Sequence, residues 1–358
     1  MPLSDLGKTA GILGGGGAVQ GLPEIIQVNE FLNAGVKFDY LCGFSVAAWN
    51  VLNPKQAYAI YKDHIHSEAD IWDFDSNIKA VVRSALKNIP HEPFRHPVKF
   101  LKFIFRAFSD IPPIPWDWDP SSGGFSRLSP FVEKAVKLIR IYGLDEVQGG
   151  INLSPLVKKV GERLDLSEFW TQDTKVHIFV RSVETGDVHV FSNKKEDCER
   201  SGHFHFIDSA DTAFKAAEAA CALRSIFNPV VIEGHPYCDS GPANPFPVEY
   251  AFDEGCDTIF AFMKNFNRYA RGQNWFSSKI EDDDVAMRYR FNEIKKWADI
   301  RKRQEKQKIY VIHPQYPLHP DLWLLGLSKA AKEHTFPVEH EATRKWLTEN
   351  LNIDPAGD

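Results

Sequence analysis

Three short stretches carry residue types that could do chemistry. The first is GILGGGGAVQG, Gly11 to Gly21, with four consecutive glycines. A loop this bare exposes successive backbone N–H groups, which make a pocket for negative charge. That charge is either a bound phosphate or an oxygen that turns anionic during a reaction. The phosphate patterns fail here. A Walker loop needs Lys and a hydroxyl residue after its last glycine, and Leu22-Pro23 stand there instead. A G-x-G-x-x-G frame from Gly14 or Gly15 ends on Val19 or Gln20, and the frame from Gly11 has Leu13 at its second glycine. No nucleotide cofactor is expected.

The second stretch is Gly43-Phe44-Ser45-Val46-Ala47. It approximates the nucleophile elbow G-x-S-x-G, in which a sharp strand-to-helix turn exposes a serine Oγ. Gly43 and Ala47 are the small residues that let strand and helix approach, with Ala47 in place of the second glycine. Taken alone, the pattern fits a small-residue turn equally well. The third is Tyr237-Cys238-Asp239-Ser240-Gly241. It sets an acid on a tight polar turn, where Asp also serves as an ordinary turn-former. Acyl transfer needs a nucleophile, a base and N–H donors around an oxyanion. The elbow serine, the turn aspartate and the glycine loop supply one of each.

In this order, GGGGAVQG, GFSVAAWN and YCDSGPANPFPV resemble the motifs of the patatin-like phospholipase family. Asn152–Leu156, AACALRSIFNPV (Ala219–Val230) and Asn244–Val248 add to the similarity, which covers about 9–65 and 145–350. The resemblance implies a Ser–Asp dyad without histidine or metal. Ser45 would attack an ester carbonyl, and Asp239 would take its proton and return one to the leaving alcohol. The oxyanion donors would be backbone N–H groups of Gly15, Gly16 and Gly17 together with Val46. Ser240 and Gly241 would form the acid turn, with Ser240 in place of the family's glycine. A histidine triad fits less well. His313 and His319 follow Asp239, but an α/β-hydrolase places several strands before its nucleophile. Here one strand and the glycine loop precede Phe38–Ser45.

The elements that must hold these motifs follow from periodicity. Thr9–Leu13 and Phe38–Cys42 read as short apolar strands, Leu22–Leu32 and Val46–Leu52 as helices. Strand, helix, strand, helix is the pattern of a parallel sheet. Strands resume at Val176–Arg181 and Val188–Ser192, with a turn at Glu184–Gly186 between them. Val230–Glu233 and His235–Cys238 flank Gly234 as a second hairpin. Thr212–Leu223, Phe246–Phe252, Val285–Gln307, Asp321–Ala331 and Val338–Leu351 read as helices, Thr258–Met263 and Ile309–Ile312 as strands. Residues 66–144 break the pattern, with IPPIPWDWDP followed by SSGG. The expected fold is a single α/β domain over 1–358: a three-layer α/β/α core with a mainly parallel sheet and a helical cap inserted at 66–144.

Composition bounds the chemistry. The chain has 358 residues, a net charge of −6, 43% hydrophobic residues and 5 cysteines. The acidic balance with intermixed bases excludes a general nucleic-acid binder. The cysteines show no metal-ligand spacing, and His203, His205 and His235 show none with the cysteines, so they read as ordinary residues. MPLSDLGKTAGIL lacks a signal-peptide pattern, and no apolar run reaches about 18 residues. A cytoplasmic enzyme is expected, peripheral at the membrane. PVKFLKFIFRAF, Pro97–Phe108, puts Lys99, Lys102 and Arg106 on one helical stripe against a wide apolar face. That suits an anionic lipid surface, and equally a cap helix packed on the core. Lipid esters are the expected substrates. Soluble esters or thioesters, or lipid binding without turnover, are the alternatives.

Overall fold

The computed structural model describes residues 3–14, 21–66, 70, 73–74, 151–223, 227–241, 247–263, 296, 307–314 and 329–353. In chain order the elements are β1 (Thr9–Leu13), α1 (Leu22–Asn33), β2 (Tyr40–Gly43), α2 (Ala47–Leu52), α3 (Pro54–Asp63), β3 (Asp73–Phe74) and β4 (Ile151–Asn152). Then come α4 (Ser154–Gly161), β5 (Lys175–Ser182), β6 (Val188–Ser192), β7 (Phe204–Phe206), α5 (Ala210–Cys221), β8 (Val230–Ile232) and β9 (His235–Asp239). The last are α6 (Val248–Asp253), β10 (Thr258–Phe262), β11 (Lys308–Ile312) and α7 (Lys329–Leu351). Nearly all of the expected cap and of Val285–Gln307, and the whole of the stripe at Pro97–Phe108, Gly15–Gly17 and His319, lie outside the described residues. β3 and β4 pair antiparallel.

A mainly parallel sheet forms the middle layer, in the order β11-β10-β1-β2-β5-β6-β7. β1, β2 and β10 are buried at every position, as strands covered on both faces must be. Alternate residues serve two cores. Leu13, Leu41, Phe260 and Phe262 point to the face carrying α1, α2, α5 and α7. Ala10, Ile12, Cys42, Ile259 and Ala261 point to the face carrying α6. Gly11 leaves room on the first face, since a Cβ there would stand 2.6 Å from Leu41 Cδ2.

β1 has β2 on one side and β10 on the other, so the chain order reverses around it. The crevice beyond the carboxyl ends of such strands is where open α/β sheets bind ligands. Both the glycine loop and the elbow leave the sheet there, after Leu13 and Gly43. Gly14 N–H donates to Phe262 O at 3.1 Å and ties the loop's first residue to the end of β10.

Several features differ from the sequence reading: β3 lies within the segment expected to form a helical cap, and α3, α4 and β7 are elements the periodicity did not mark. α1 reads as an amphipathic helix, yet it is buried nearly throughout, Glu24, Gln27 and Glu30 included. α7 covers its polar stripe: Gln27 donates to Glu339, and Glu30 accepts from Arg344 and pairs with His340. α7 itself runs on through Pro337, where the sequence suggests two separate helices.

Candidate active site

Ser45 lies between β2 and α2 with φ +52°. A serine in left-handed backbone is strained, because its Cβ crowds the neighbouring carbonyl. The turn is held in that shape by a close crossing. A Cβ on Gly43 would stand 2.7 Å from the Ala47 carbonyl oxygen and 3.1 Å from the Ala47 methyl. Gly43 must therefore be glycine, while the alanine at the other position fits. Ser45 keeps 9% exposure at the head of the crevice.

β5 brings the acid to the nucleophile. Its N-terminal half pairs with β2, Gly43 opposite Ile178. Its C-terminal half pairs with β9 in the opposite sense, Asp239 opposite Val180. β6 takes the other edge over Arg181 to His177. β2 and β9 thus meet end to end along one edge of β5. Gly43 and Asp239 are separated by a two-residue step of β5, about 7 Å.

The three motifs touch through their glycines. A Cβ on Gly241 would fall 3.2 Å from the Phe44 ring, the residue before the serine. A Cβ on Gly21, at the end of the glycine loop, would fall 2.4 Å from Val46 Cγ1, the residue after it. Asn50 of α2 reaches the Gly21 carbonyl at 3.5 Å. Acid turn and loop end therefore abut the elbow from two sides.

Main chain fixes Asp239. Gly241 N–H donates to its Oδ1 at 2.7 Å, and its own N–H donates to Ala222 O at 3.0 Å. That second bond gives the AACALRSIFNPV segment a role, since Ala222 ends α5 and holds the acid strand. Ser240 Oγ donates to Phe179 O at 3.1 Å, so a serine is satisfied where the motif has glycine. Cys221, at the end of α5, lies within reach of the Asp239 charge. Burial, then the Asp239 charge, push it well up, so it stays a protonated thiol and no rival nucleophile. Sequence reasoning missed Phe44 and Ala222; no periodicity or motif marks residues that act only as spacers.

Among the described residues, one group of three side chains has metal-ligand spacing: His177, Asp197 and Glu254. Lys175 Nζ already stands between the carboxylates, 2.8 Å from Asp197 and 2.9 Å from Glu254, and serves as their cation. The group is a structural network.

This is an α/β protein whose mainly parallel sheet presents a strained serine elbow at its switch point, with an acid turn and Gly21 against it. The family model described as patatin-like phospholipase matches residues 12–252, more than half of the chain and all three motifs. The chain belongs to the patatin-like phospholipase family, whose members are lipid acyl hydrolases. Among solved structures it is similar to VipD from Legionella pneumophila, at 11% identity and a TM-score of 0.40, over 96% of this chain and 67% of that one. That likeness is too distant to carry an argument. No curated protein matches.

Proposed function

We propose that this protein is a serine acyl hydrolase of phospholipase A or lysophospholipase type, working through Ser45 and Asp239. The observation that carries the reading is the left-handed Ser45, two residues after Gly43, whose β5 partner lies two residues from that of Asp239. Ser45 Oγ attacks the ester carbonyl as Asp239 takes its proton. Backbone N–H groups of Gly15–Gly17 and Val46 bind the oxyanion. Asp239 then protonates the departing alcohol. Water, giving its proton to Asp239, attacks the acyl-enzyme, and Asp239 returns that proton to Ser45 Oγ as the fatty acid leaves. The fit of Ala47 and the satisfied Ser240 favour turnover over a degraded relative. The enzyme acts in the cytoplasm, as one domain, meeting membranes through Pro97–Phe108.

The test compares wild type, Ser45→Ala and Asp239→Asn on phosphatidylcholine vesicles, a lysophospholipid and a short soluble acyl ester. Both substitutions should cut fatty-acid release by roughly 10³-fold or more, with folding unchanged by circular dichroism. Vesicle turnover should exceed that of the soluble ester. Hydrolysis that survives Ser45→Ala would sink the dyad. Lipid binding by a wild type silent on all three substrates would replace it with a binding function.

A further inference from the structure

Away from the elbow, the β6–β7 end of the sheet gathers His189, His203 and His205. β6 and β7 run parallel with Val190 opposite Phe204, so the preceding pair, His189 and His203, also stand opposite each other. The His189 and His203 rings meet edge to face, with centroids 4.8 Å apart. His205, two residues on, stacks on the other side of His189 at 5.1 Å.

The two ring nitrogens of His189 face different neighbours at different distances. Nδ1 lies 2.8 Å from His205 Nε2, a normal hydrogen bond. Nε2 lies 3.4 Å from His203 Nδ1, long for a hydrogen bond. It matches instead the separation of about 3.3 Å between two nitrogens that ligate one tetrahedral metal at about 2.0–2.1 Å each. The first contact also prepares the second. If His189 Nδ1–H donates to His205, the lone pair of His189 is fixed on Nε2, facing His203. A ligating imidazole is commonly oriented in this way by a partner on its other nitrogen.

We propose that His189 Nε2 and His203 Nδ1 form a two-imidazole site for a borderline divalent metal such as Zn²⁺, Ni²⁺ or Cu²⁺, with His205 as the positioning residue. Binding needs both imidazoles neutral, with the His203 proton on Nε2. His203 is exposed, so a metal can reach the pair and complete its coordination with water. Imidazole donors suit this group of metals, whereas Mg²⁺ and Ca²⁺ prefer oxygen.

The test is calorimetric titration of the full, untagged chain with Zn²⁺ and with Ni²⁺, backed by electron paramagnetic resonance of the Cu²⁺ form. Wild type should bind one equivalent saturably, with two nitrogens coupled to Cu²⁺. His203→Gln, an exposed change that spares the fold, should remove saturable binding and leave fewer coupled nitrogens. His189→Gln should do the same. His205→Gln should weaken binding about tenfold while retaining both coupled nitrogens. Absence of saturable binding by wild type, or unchanged affinity in His203→Gln, overturns the proposal.

Discussion

Asp239 and Asp197 are both buried acids, at 6% and 1% exposure, one in β9 and the other in the turn after β6. Asp239 ends β9 beside the elbow and is fixed by backbone N–H of Gly241. Asp197 is fixed by side chains: His177 Nε2–H and Lys175 Nζ each donate at 2.8 Å and Ser192 Oγ at 2.6 Å. Burial alone would raise the Asp197 carboxyl, but these hydrogen bonds outweigh it and hold the group well below the usual carboxylate range. Burial keeps His177 neutral, so it accepts from Tyr40 O–H while donating to Asp197. The difference teaches what each acid is for. A carboxylate locked by cations and hydroxyls is a poor proton acceptor. One oriented by main chain beside a nucleophile is suited to take a proton and return it.

The largest expected effect breaks the network. Asp197→Ala removes the acceptor shared by His177, Lys175 and Ser192, and should cost about 3–5 kcal/mol in urea unfolding. Asp239→Asn should cost under about 1 kcal/mol while abolishing hydrolysis. Equal losses of stability would erase the contrast between the two acids. Next is the elbow. Gly43→Ala forces a methyl toward the Ala47 carbonyl and should cost about 2–3 kcal/mol, with hydrolysis lost as Ser45 shifts.

Glu339 sharpens the comparison, because an amide holds it rather than cations. Gln27 donates to it at 2.7 Å, yet burial pushes its carboxyl up to about 7 from an ordinary 4.5. A raised folded value means that the folded state binds the extra proton. Stability should therefore fall as pH rises from about 4.5 to about 7. Glu339→Gln mimics the protonated form. It should raise stability by about 2 kcal/mol at pH 8 and change little at pH 4, read as the pH dependence of thermal unfolding. The smallest effect isolates strain. Ser45→Gly should stabilise the fold by about 1 kcal/mol, because glycine accepts φ +52° freely, whereas Ser45→Ala should give no such gain. Both should be inactive.

Much of the site was legible in the chain. Thr9–Leu13 forms β1 as its apolar run indicates, and α2 starts one residue after Val46, where the elbow pattern requires a helix. The Gly186 and Gly234 turns join antiparallel strands as read. Other features were not legible. β7 (FHF) is a three-residue strand, too short for its alternation to stand out as a strand signal. The Asp197 network joins β5 and β6 to the turn beyond them, and each member alone is an ordinary surface-type residue. Pro337 breaks the helical pattern on paper, but it sits on an exposed face of α7, where water can serve the carbonyl that loses its partner.

The sequence by itself determined the local geometry and its chemistry: a bare loop after one strand, a serine between small residues after the next, an acid in a tight turn. Those depend on neighbours a few residues apart, so spacing and residue type suffice. Only the tertiary structure decided that β9 runs against β5 and ends where β2 ends, bringing Asp239 to the elbow. Strand register between distant segments is set by the whole buried sheet, and no local pattern records it.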